Sequence, residues 1–479
     1  MPGFHVEHFG CRAARADGEA VSQRLSMAGL REAIPAAADV VVVNTCSVTA
    51  EADRAARAFI RRAHRVNPAA RILVTGCYAQ RAPQELATLS GVAAVVGNSH
   101  KALTPEIALR LIGEPVVGFV SDGPMARTGL VSVGSLLAGP AGQAPVWADD
   151  SFAHSFLEEA QVVPGTQTRP NLKIQEGCGN RCTFCVIPQT RGSSRSLAAA
   201  RVVEQVTGFV AARGNELVLS GINLGRWGRD LAGLTLAGLV RRIFAETALP
   251  RLRLSSIEPM DWDWELIGLM AEFGGGRLAR HAHLPLQSGS DAVLRQMHRR
   301  YRPWHYEQKA SALIEAAGPD LTLGADVMVG FPGETDCEFE ETLELVRRLP
   351  FGYLHLFPFS PRPGTRGWAL HAELPVSAQA VEERMAALRA LAAEKVRLHR
   401  RRFVGRELEA ITLHSSAKAE SAERTAALTE NFLPVELEGR LAANQMVRVR
   451  VTGLNAEGML CAVTNAPERA QYAATSMSV

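Results

Sequence analysis

The sequence has no apolar run long enough to cross a bilayer, which argues against a membrane-spanning helix and a membrane partner. Its first residues, Met1 to His5, lack the basic stretch and apolar core of a secretory signal, so we expect a cytoplasmic protein. Only eight cysteines occur in 479 residues, and a reducing compartment argues against a disulfide framework. Metal or cluster ligation is therefore the expected use of the thiols.

The sequence also lacks a strong excess of charge, since the net charge is only +3. A nucleic-acid partner therefore has to be argued from where the basic residues cluster. No pair of carboxylates and no Ser/His arrangement stands out as acid–base or nucleophilic machinery. The length predicts two to four domains, and 47% hydrophobic with 21% charged residues is ordinary for folded domains.

One loop carries three thiols at close spacing. Cys178, Cys182 and Cys185 are separated by three and then by two residues. Such a loop can direct three thiolates at one point and hold three corners of a four-iron cluster, which leaves the fourth iron without a protein ligand. The alternative is a zinc knuckle, but structural zinc needs a fourth Cys or His nearby, and the loop has none in adjacent sequence.

Residues 1–115 alternate short apolar runs with longer helical segments. The runs, which predict strands, are 4–9, 39–43, 71–75 and 92–96. This pattern predicts an open parallel sheet, in which the carboxyl ends of the strands share one edge. Cys11, Cys46 and Cys77 each follow one of the first three runs, so we expect them to converge as a second cluster site. For each thiol alone, the alternative is a small buried side chain without a ligand.

Residues 169–400 contain six further strand-like runs with helical segments between them. The runs are 172–174, 216–220, 251–257, 281–286, 321–329 and 353–359. Six strand–helix units predict an incomplete parallel barrel, and barrel enzymes place their chemistry at the C-terminal mouth. The three-thiol loop follows the first run at this mouth. Glu258 and Gln287 follow later runs and are the polar candidates for contact with a ligand.

The other regions carry weaker signals. Residues 116–168 lack sustained periodicity and are interpreted as a linker, and residues 467–479 as a loose tail. Residues 395–406 form the most basic run and lead into alternating segments that predict a small antiparallel barrel over 401–466. Such a run is usually a solvated face, although it also suits phosphate contacts.

Four single residues lie outside these patterns. Arg191 and Arg195, just past the thiol loop, either meet a carboxylate or phosphate or are simply solvated. Cys337 and Cys461 have no partner at ligand spacing. We interpret both of these cysteines as structural thiols.

The thiol loop, with Phe184 before its last cysteine, resembles the radical S-adenosylmethionine enzymes. Three N-terminal words resemble the methylthiotransferase branch of that family: Gly10-Cys11, Asn44-Thr45-Cys46 and Gly76-Cys77. The C-terminal segment resembles the TRAM domain, a small RNA-binding barrel. The resemblance implies an α/β protein with an N-terminal open parallel sheet, a central partial (β/α)6 radical S-adenosylmethionine barrel and a TRAM-like antiparallel barrel.

The resemblance also implies cofactors and partners. It implies two [4Fe–4S] clusters on the six thiols named above, and S-adenosylmethionine near Phe184, Glu258 and Gln287. The partners would be tRNA and an electron-donating reductant protein, with a sulfur donor that the resemblance does not identify. The expected activity is radical transfer of a methylthio group to a tRNA base.

Around the second and third thiols, the words Asn44 to Thr49 and Gly76 to Gln80 most resemble the branch that modifies N6-threonylcarbamoyladenosine beside the anticodon. The isopentenyladenosine branch is the alternative within the family, and a non-catalytic iron–sulfur RNA-binding protein is the alternative outside it. In one place the chain departs from the family, because Ala14 stands where Asn is usual. We expect this change to tune the N-terminal cluster without removing a ligand.

Overall fold

The computed structural model describes residues 1–113, 143–150, 152, 162, 168–414 and 423–464. The predicted tail, 467–479, and most of the predicted linker lie outside these residues. Within them, no helix is both long and apolar enough to cross a membrane.

The N-terminal domain is built on a six-stranded parallel sheet in the order β2-β1-β3-β4-β5-β6. Its strands are β1 (Gly3–His8), β2 (Arg31–Glu32), β3 (Val40–Thr45), β4 (Arg71–Gly76), β5 (Val92–Gly97) and β6 (Val146–Trp147). Its helices are α1 (Arg12–Met27), α2 (Ala50–Val66), α3 (Cys77–Arg81), α4 (Pro83–Ala87) and α5 (Thr104–Leu111). The predicted open parallel sheet is confirmed.

The centre of this sheet is the valine run of β3. Val40 and Val42 face one hydrophobic core, whereas Val41 and Val43 face the other, and all four side chains are fully buried. Successive side chains of a strand point to opposite faces, so an unbroken apolar run is what a strand covered on both sides requires. Helix α2 begins where Thr49 accepts a hydrogen bond from the Ala52 amide at 3.2 Å.

The sheet extends into the segment interpreted as a linker. Val146–Trp147 pair in parallel with β5, and Trp147 packs in one of the N-terminal cores. A run of two residues is too short to show strand periodicity, and the sequence before it has no regular hydrophobic pattern. The chain therefore returns to the first domain before it enters the second.

The central domain contains six parallel strands in two sheets, ordered β10-β9-β7-β8 and β11-β12-β13, with the short β8 antiparallel to β7. The strands are β7 (Asn171–Glu176), β8 (Arg195–Ser196), β9 (Glu216–Gly221), β10 (Arg251–Leu254), β11 (His281–His283), β12 (Thr322–Val329) and β13 (Phe351–Pro358). A parallel bridge between Leu252 and Leu278 lies where the two sheets meet, and one hydrophobic core serves both. This is the predicted incomplete barrel.

Nine helices of the described residues accompany these strands. They are α6 (Ile187–Arg191), α7 (Ala199–Ala211), α8 (Leu236–Glu246), α9 (Trp264–Phe273), α10 (Asp291–Gln296), α11 (Pro303–Ala317), α12 (Asp336–Arg348), α13 (Arg366–Glu373) and α14 (Ala378–Arg401). Most follow a strand and return the chain to the next one. Helix α12 begins at a capping box, in which the side chains of Thr335 and Glu338 each accept a hydrogen bond from the other's backbone amide.

The C-terminal domain is a closed five-stranded barrel in the order β14-β15-β16-β18-β17. Its strands are β14 (Glu407–Thr412), β15 (Arg424–Thr429), β16 (Pro434–Glu438), β17 (Met446–Leu454) and β18 (Leu460–Thr464). The predicted small barrel is confirmed, but it is not wholly antiparallel, because β16 and β18 pair in parallel. The sequence does not reveal β15, whose alanines carry little strand signal. Several basic side chains of the lead-in contact protein: Arg400 meets Gly458 O, and Arg406 pairs with Asp320. They are therefore not a simple solvated face.

Candidate active site

The thiols of the barrel loop lie at the C-terminal end of β7. The chain turns sharply there, because Gly177 has φ +70° and a side chain on it would meet the Ser193 carbonyl oxygen at 2.0 Å. Burial and the neighbouring thiolates of Cys182 and Cys178 together raise the pKa of Cys185 to about 12. All three thiols line the same cavity, so the loop brings them into one neighbourhood.

Several N–H groups are directed at these sulfurs. The Asn180 amide lies 3.4 Å from Sγ of Cys178, and Nδ2 of Asn223 lies 3.7 Å from the same atom. Nη1 of Arg299 donates to Sγ of Cys182 at 3.3 Å. Donors around thiolates are the usual surroundings of a sulfur-bound metal centre, because they stabilise the ligand charge.

The N-terminal thiols come together at one edge of the first sheet. Cys11 follows β1, Cys46 follows β3 and Cys77 opens α3 directly after β4. Burial raises the pKa of Cys46 to about 12, with further contributions from Cys77 and Cys11. Gly10 has φ +107°, and a Cβ on it would lie 2.7 Å from Sγ of Cys46, so the first two thiol loops are in contact.

The spacing of the sulfurs separates the cluster interpretation from the zinc one. In the described residues, one set of three His, Cys, Asp or Glu ligand atoms lies wholly within 4.8 Å, and it contains no cysteine. The three sulfurs of either trio are therefore more widely spread. Thiolates on one zinc ion, with Zn–S bonds of about 2.3 Å, stand only about 3.8 Å apart. The wider spacing suits ligands at different corners of a cluster.

A buried ionic network joins the N-terminal thiol site to the strand that leads into the barrel thiol loop. Nε of Arg191 donates to Sγ of Cys77 at 3.2 Å, and Nη1 of Arg191 pairs with Asp17 at 3.0 Å and Glu176 at 2.6 Å. Lys101 and Lys173 pair with the same two carboxylates. Three cations thus balance two carboxylates beside a thiol, which leaves positive charge available to offset a thiolate.

The sequence predicts only part of this network. It leaves open whether Arg191 meets a carboxylate, and the structure shows that it meets two. Asp17, Lys101, Lys173 and Glu176 carry no signal of their own, since an isolated charged residue gives no sign in sequence that it will be buried. Their pattern becomes visible only when the N-terminal domain and the barrel are brought together.

Two cavities adjoin the barrel thiols. The larger, about 720 Å³, is lined by the thiol loop together with Arg195, His298 and Arg366, and it is large enough for a nucleoside-sized ligand. The smaller, about 290 Å³, lies between the thiol loop and Glu258. Arg299 forms an ion pair with Glu258, so the carboxylate is held beside the loop.

Gln287 and Phe184, the two other candidates for cofactor contact, do not line these cavities as Glu258 does. Gln287 is buried with φ +63°, and its side-chain Oε1 has no hydrogen-bond partner among the described residues. Phe184 packs against the barrel core and, in the described part of the chain, lines neither cavity. Of the three predicted residues, Glu258 is therefore the one that the structure places on a cavity beside the thiols.

Comparison with known proteins gives two family matches. Residues 3–97 match the family described as Uncharacterized protein family UPF0004, and residues 172–346 match the Radical SAM superfamily. The chain is 34% identical over 448 residues to the threonylcarbamoyladenosine tRNA methylthiotransferase MtaB of Aquifex aeolicus, which covers 93% of this chain and 99% of that protein. The chain belongs to the radical S-adenosylmethionine tRNA methylthiotransferase family.

A second branch of the family is also similar to this methylthiotransferase. The tRNA-2-methylthio-N(6)-dimethylallyladenosine synthase of Sorangium cellulosum is 34% identical over 401 residues, covering 78% of this chain and 75% of that protein. In the fold, the methylthiotransferase is similar to the radical S-adenosylmethionine methyltransferase TsrM of Kitasatospora setae, with a TM-score of 0.55, 16% identity and 78% of each chain covered.

Ala14 stands where the family resemblance leads us to expect Asn. The residue is buried in α1, and its backbone carbonyl accepts a hydrogen bond from Nδ2 of Asn44 at 2.5 Å. Asn44 lies at the end of β3, two residues before Cys46. The backbone of α1 is thereby tied to the second thiol loop without any contribution from the side chain at position 14.

Proposed function

We propose that this methylthiotransferase adds a methylthio group to N6-threonylcarbamoyladenosine beside the anticodon of tRNA, with two [4Fe–4S] clusters and S-adenosylmethionine as cofactors. The observation that carries the proposal is the presence of two three-thiol sites, of which the N-terminal one is bonded through Arg191 to Glu176, two residues before the barrel thiol loop. Cys178, Cys182 and Cys185 alone would account for radical formation, whereas the second trio would hold a cluster for the transfer of sulfur.

The residues present fit these cofactors. Each thiol trio is too widely spread for one zinc ion, and each has N–H donors within reach of its sulfurs. Cys178, Cys182 and Cys185 would hold the barrel cluster, and the N-terminal trio the other. When bound, the barrel cluster with S-adenosylmethionine would supply radical chemistry at carbon, and the N-terminal cluster would hold the sulfur that is transferred.

The chain's own contribution is to position and to tune. Arg299 bridges Cys182 and Glu258, so it couples the cluster loop to the wall of the smaller cavity. Arg191 does the same for Cys77 and the interdomain carboxylates. These groups act on orientation and charge. Abstraction of a hydrogen atom by a radical needs no paired acid and base, which agrees with a sequence in which no such pair stands out.

The choice of the threonylcarbamoyladenosine branch is supported by the words around the second and third thiols and by relatives that match nearly the whole chain. An anticodon-loop base is unpaired and can be splayed into a pocket, which is how RNA bases are usually read. The larger cavity beside the thiol loop has the volume for such a base. A reductant protein would deliver the electrons.

The proposal is tested by mass spectrometry of tRNA nucleosides from cells that lack the gene. We expect the methylthio form of N6-threonylcarbamoyladenosine to be absent and to return with the wild-type gene but not with Cys46→Ala. Cys337→Ala is the matched control, because Cys337 is exposed on α12 and should restore the product fully.

Two other results would change the conclusion. Loss of the methylthio form of isopentenyladenosine in place of the threonylcarbamoyl product would assign the chain to the other branch. Full restoration of the expected product by Cys46→Ala would remove the N-terminal cluster from the mechanism. Cleavage of S-adenosylmethionine by the reduced protein would in addition exclude a purely structural role for the clusters.

A further inference from the structure

Three metal-ligand side chains meet on three consecutive strands of the central domain. His283 ends β11, Asp326 lies in β12 and His355 lies in β13. Asp326 and His355 are register partners, and His283 pairs with Gly324, two residues before Asp326. Residues two apart on a strand share a face, so the parallel register brings the three side chains to one side of the sheet.

Their ligand atoms are close together. Oδ1 of Asp326 lies 3.2 Å from Nε2 of His283 and 3.2 Å from Nδ1 of His355. All three atoms lie within 4.8 Å of one another, the only such set of His, Cys, Asp and Glu in the described ranges. Ligands of a tetrahedral ion with bonds of about 2.0–2.2 Å stand about 3.3–3.6 Å apart. The spacing therefore suits a single ion, unlike that of the thiol trios.

Nε2 of His283 is at ion-pair distance from Asp326, but the contact does not have the geometry of a hydrogen bond. The residue is only 7% exposed, yet its Nε2 has no hydrogen-bond partner among the described residues, although Oδ1 of Asp326 is 3.2 Å away. Two ligand atoms of one metal ion are likewise close together without a hydrogen bond between them, because each is directed at the ion and not at the other ligand. A buried ring nitrogen without a partner is otherwise unfavourable.

The second nitrogen of His283 is already fixed. Its Nδ1 lies 3.0 Å from the Tyr353 hydroxyl, which is also 2.8 Å from Nε2 of His281. Metal-ligating histidines usually have their other ring nitrogen bonded in this way, since the partner sets the tautomer and the ring orientation. The arrangement therefore leaves Nε2 as the atom of His283 that is available to a ligand.

We propose that His283, Asp326 and His355 bind a divalent first-row metal ion, separate from the two thiol sites. Two imidazoles and one carboxylate are ligands that zinc, iron(II) and similar ions accept. The His355 side chain is 61% exposed, so the ion can enter from solvent. Three protein ligands leave at least one coordination position free for water or for an oxygen of a bound molecule.

The position of this site suggests its use. The backbone amide of Gln287 donates to the Asp326 carbonyl at 2.8 Å, so the strand that carries Asp326 is bonded to the segment that follows β11. A free coordination position there would suit a carboxylate or carbonyl oxygen of the threonylcarbamoyl group. That use rests on the proposed function, whereas metal binding itself does not.

The test measures zinc on the protein with its clusters assembled, so that the thiols are occupied. After equilibration with micromolar Zn²⁺ and removal of the excess, we expect about one more zinc per chain in wild type than in His355→Ala or Asp326→Asn. Iron and sulfide contents should be equal in all three proteins. Tyr353→Phe should bind the ion ~10–100-fold more weakly, because it loses the outer partner of His283.

His414→Ala is the control, because His414 is an exposed histidine of the small barrel. It should bind zinc as wild type does, which excludes a general effect of losing an imidazole. Equal zinc in wild type and both ligand variants would overturn the proposal, as would binding only at millimolar Zn²⁺. Since tRNA is not involved, a failed nucleoside assay and a failed zinc assay are independent results.

Discussion

Nε of Arg191 lies 3.2 Å from Sγ of Cys77, so a side chain of the barrel donates directly to a thiol of the N-terminal domain. The same guanidinium pairs with Asp17 of that domain and with Glu176 of the barrel. One buried residue therefore couples the charge of the N-terminal thiol site to the contact between the domains. Tuning of the cluster and docking of the domain are not separable at this position.

Replacing Arg191 by Gln should reduce both stability and cluster content. The substitution removes a donor to Cys77 and leaves Asp17 and Glu176 with less compensation, and breaking a buried ion pair costs about 3–5 kcal/mol. Urea unfolding and iron analysis would measure the two effects. Arg241→Gln, which breaks the exposed pair with Glu272, should change stability by less than about 1 kcal/mol. Equal effects of the two substitutions would contradict the role given to Arg191.

Gly10→Ala should lose the N-terminal cluster while the barrel cluster remains, so that iron content falls by about half. A Cβ at this position meets Sγ of Cys46 at 2.7 Å and forces the second thiol from its place. Gly29→Ala is the matched control, because Gly29 also has positive φ but has nothing within 4 Å of the added atom. Both variants carry backbone strain of about 1 kcal/mol, so retained iron in Gly10→Ala would show that crowding at Cys46 is tolerated.

Acid should destabilise the packing of α14 on the barrel through His399. Burial lowers the pKa of His399 to about 4, and Arg402 and Arg400 add to the shift. In the unfolded chain His399 has a pKa of about 6.5, so between pH 4 and pH 6.5 the unfolded chain binds more protons than the folded one. The free energy of unfolding therefore falls as the pH drops from about 6.5 to about 4.

The measurement for His399 is urea unfolding of wild type and His399→Gln between pH 7.5 and pH 5.5. Glutamine retains a group able to hydrogen-bond the Thr322 hydroxyl, which lies 2.9 Å from Nε2 of His399, but it does not titrate. The loss of stability toward low pH should therefore be smaller in the variant. Identical pH profiles would show that His399 is not the group responsible.

The small barrel should contribute to tRNA affinity through β17. Arg448 and Arg450 are exposed on one face of this strand, whereas Val449 and Val451 are buried on the other. Replacing both arginines by Gln should weaken tRNA binding and reduce the slope of log K against log salt by ~0.7–0.9 for each phosphate that is no longer neutralised. Arg347→Gln, an exposed position on α12, should leave the slope unchanged. An unchanged slope in the double variant would place the tRNA elsewhere.

The elements that sequence predicts well are those with their own periodicity or spacing. The valine run of β3 is recognisable because a strand buried on both faces needs consecutive apolar residues. The three-thiol loop is recognisable because a cluster needs closely spaced thiols. Strand β15 is not predictable in this way, since Ala426 and Ala427 contribute little strand propensity and are placed by their neighbours. Residues such as Lys101 and His355 depend on strand register and domain contact, which a single sequence does not display.

The pairing of Val146–Trp147 with β5 has a consequence for the order in which the protein is made. Until residue 147 has left the ribosome, the edge of β5 that β6 later covers has no partner, and an open edge invites pairing with other chains. A fragment that ends near residue 115 should therefore aggregate, whereas one that reaches residue 150 carries its own last strand. The N-terminal domain is completed only as synthesis of the barrel is about to begin.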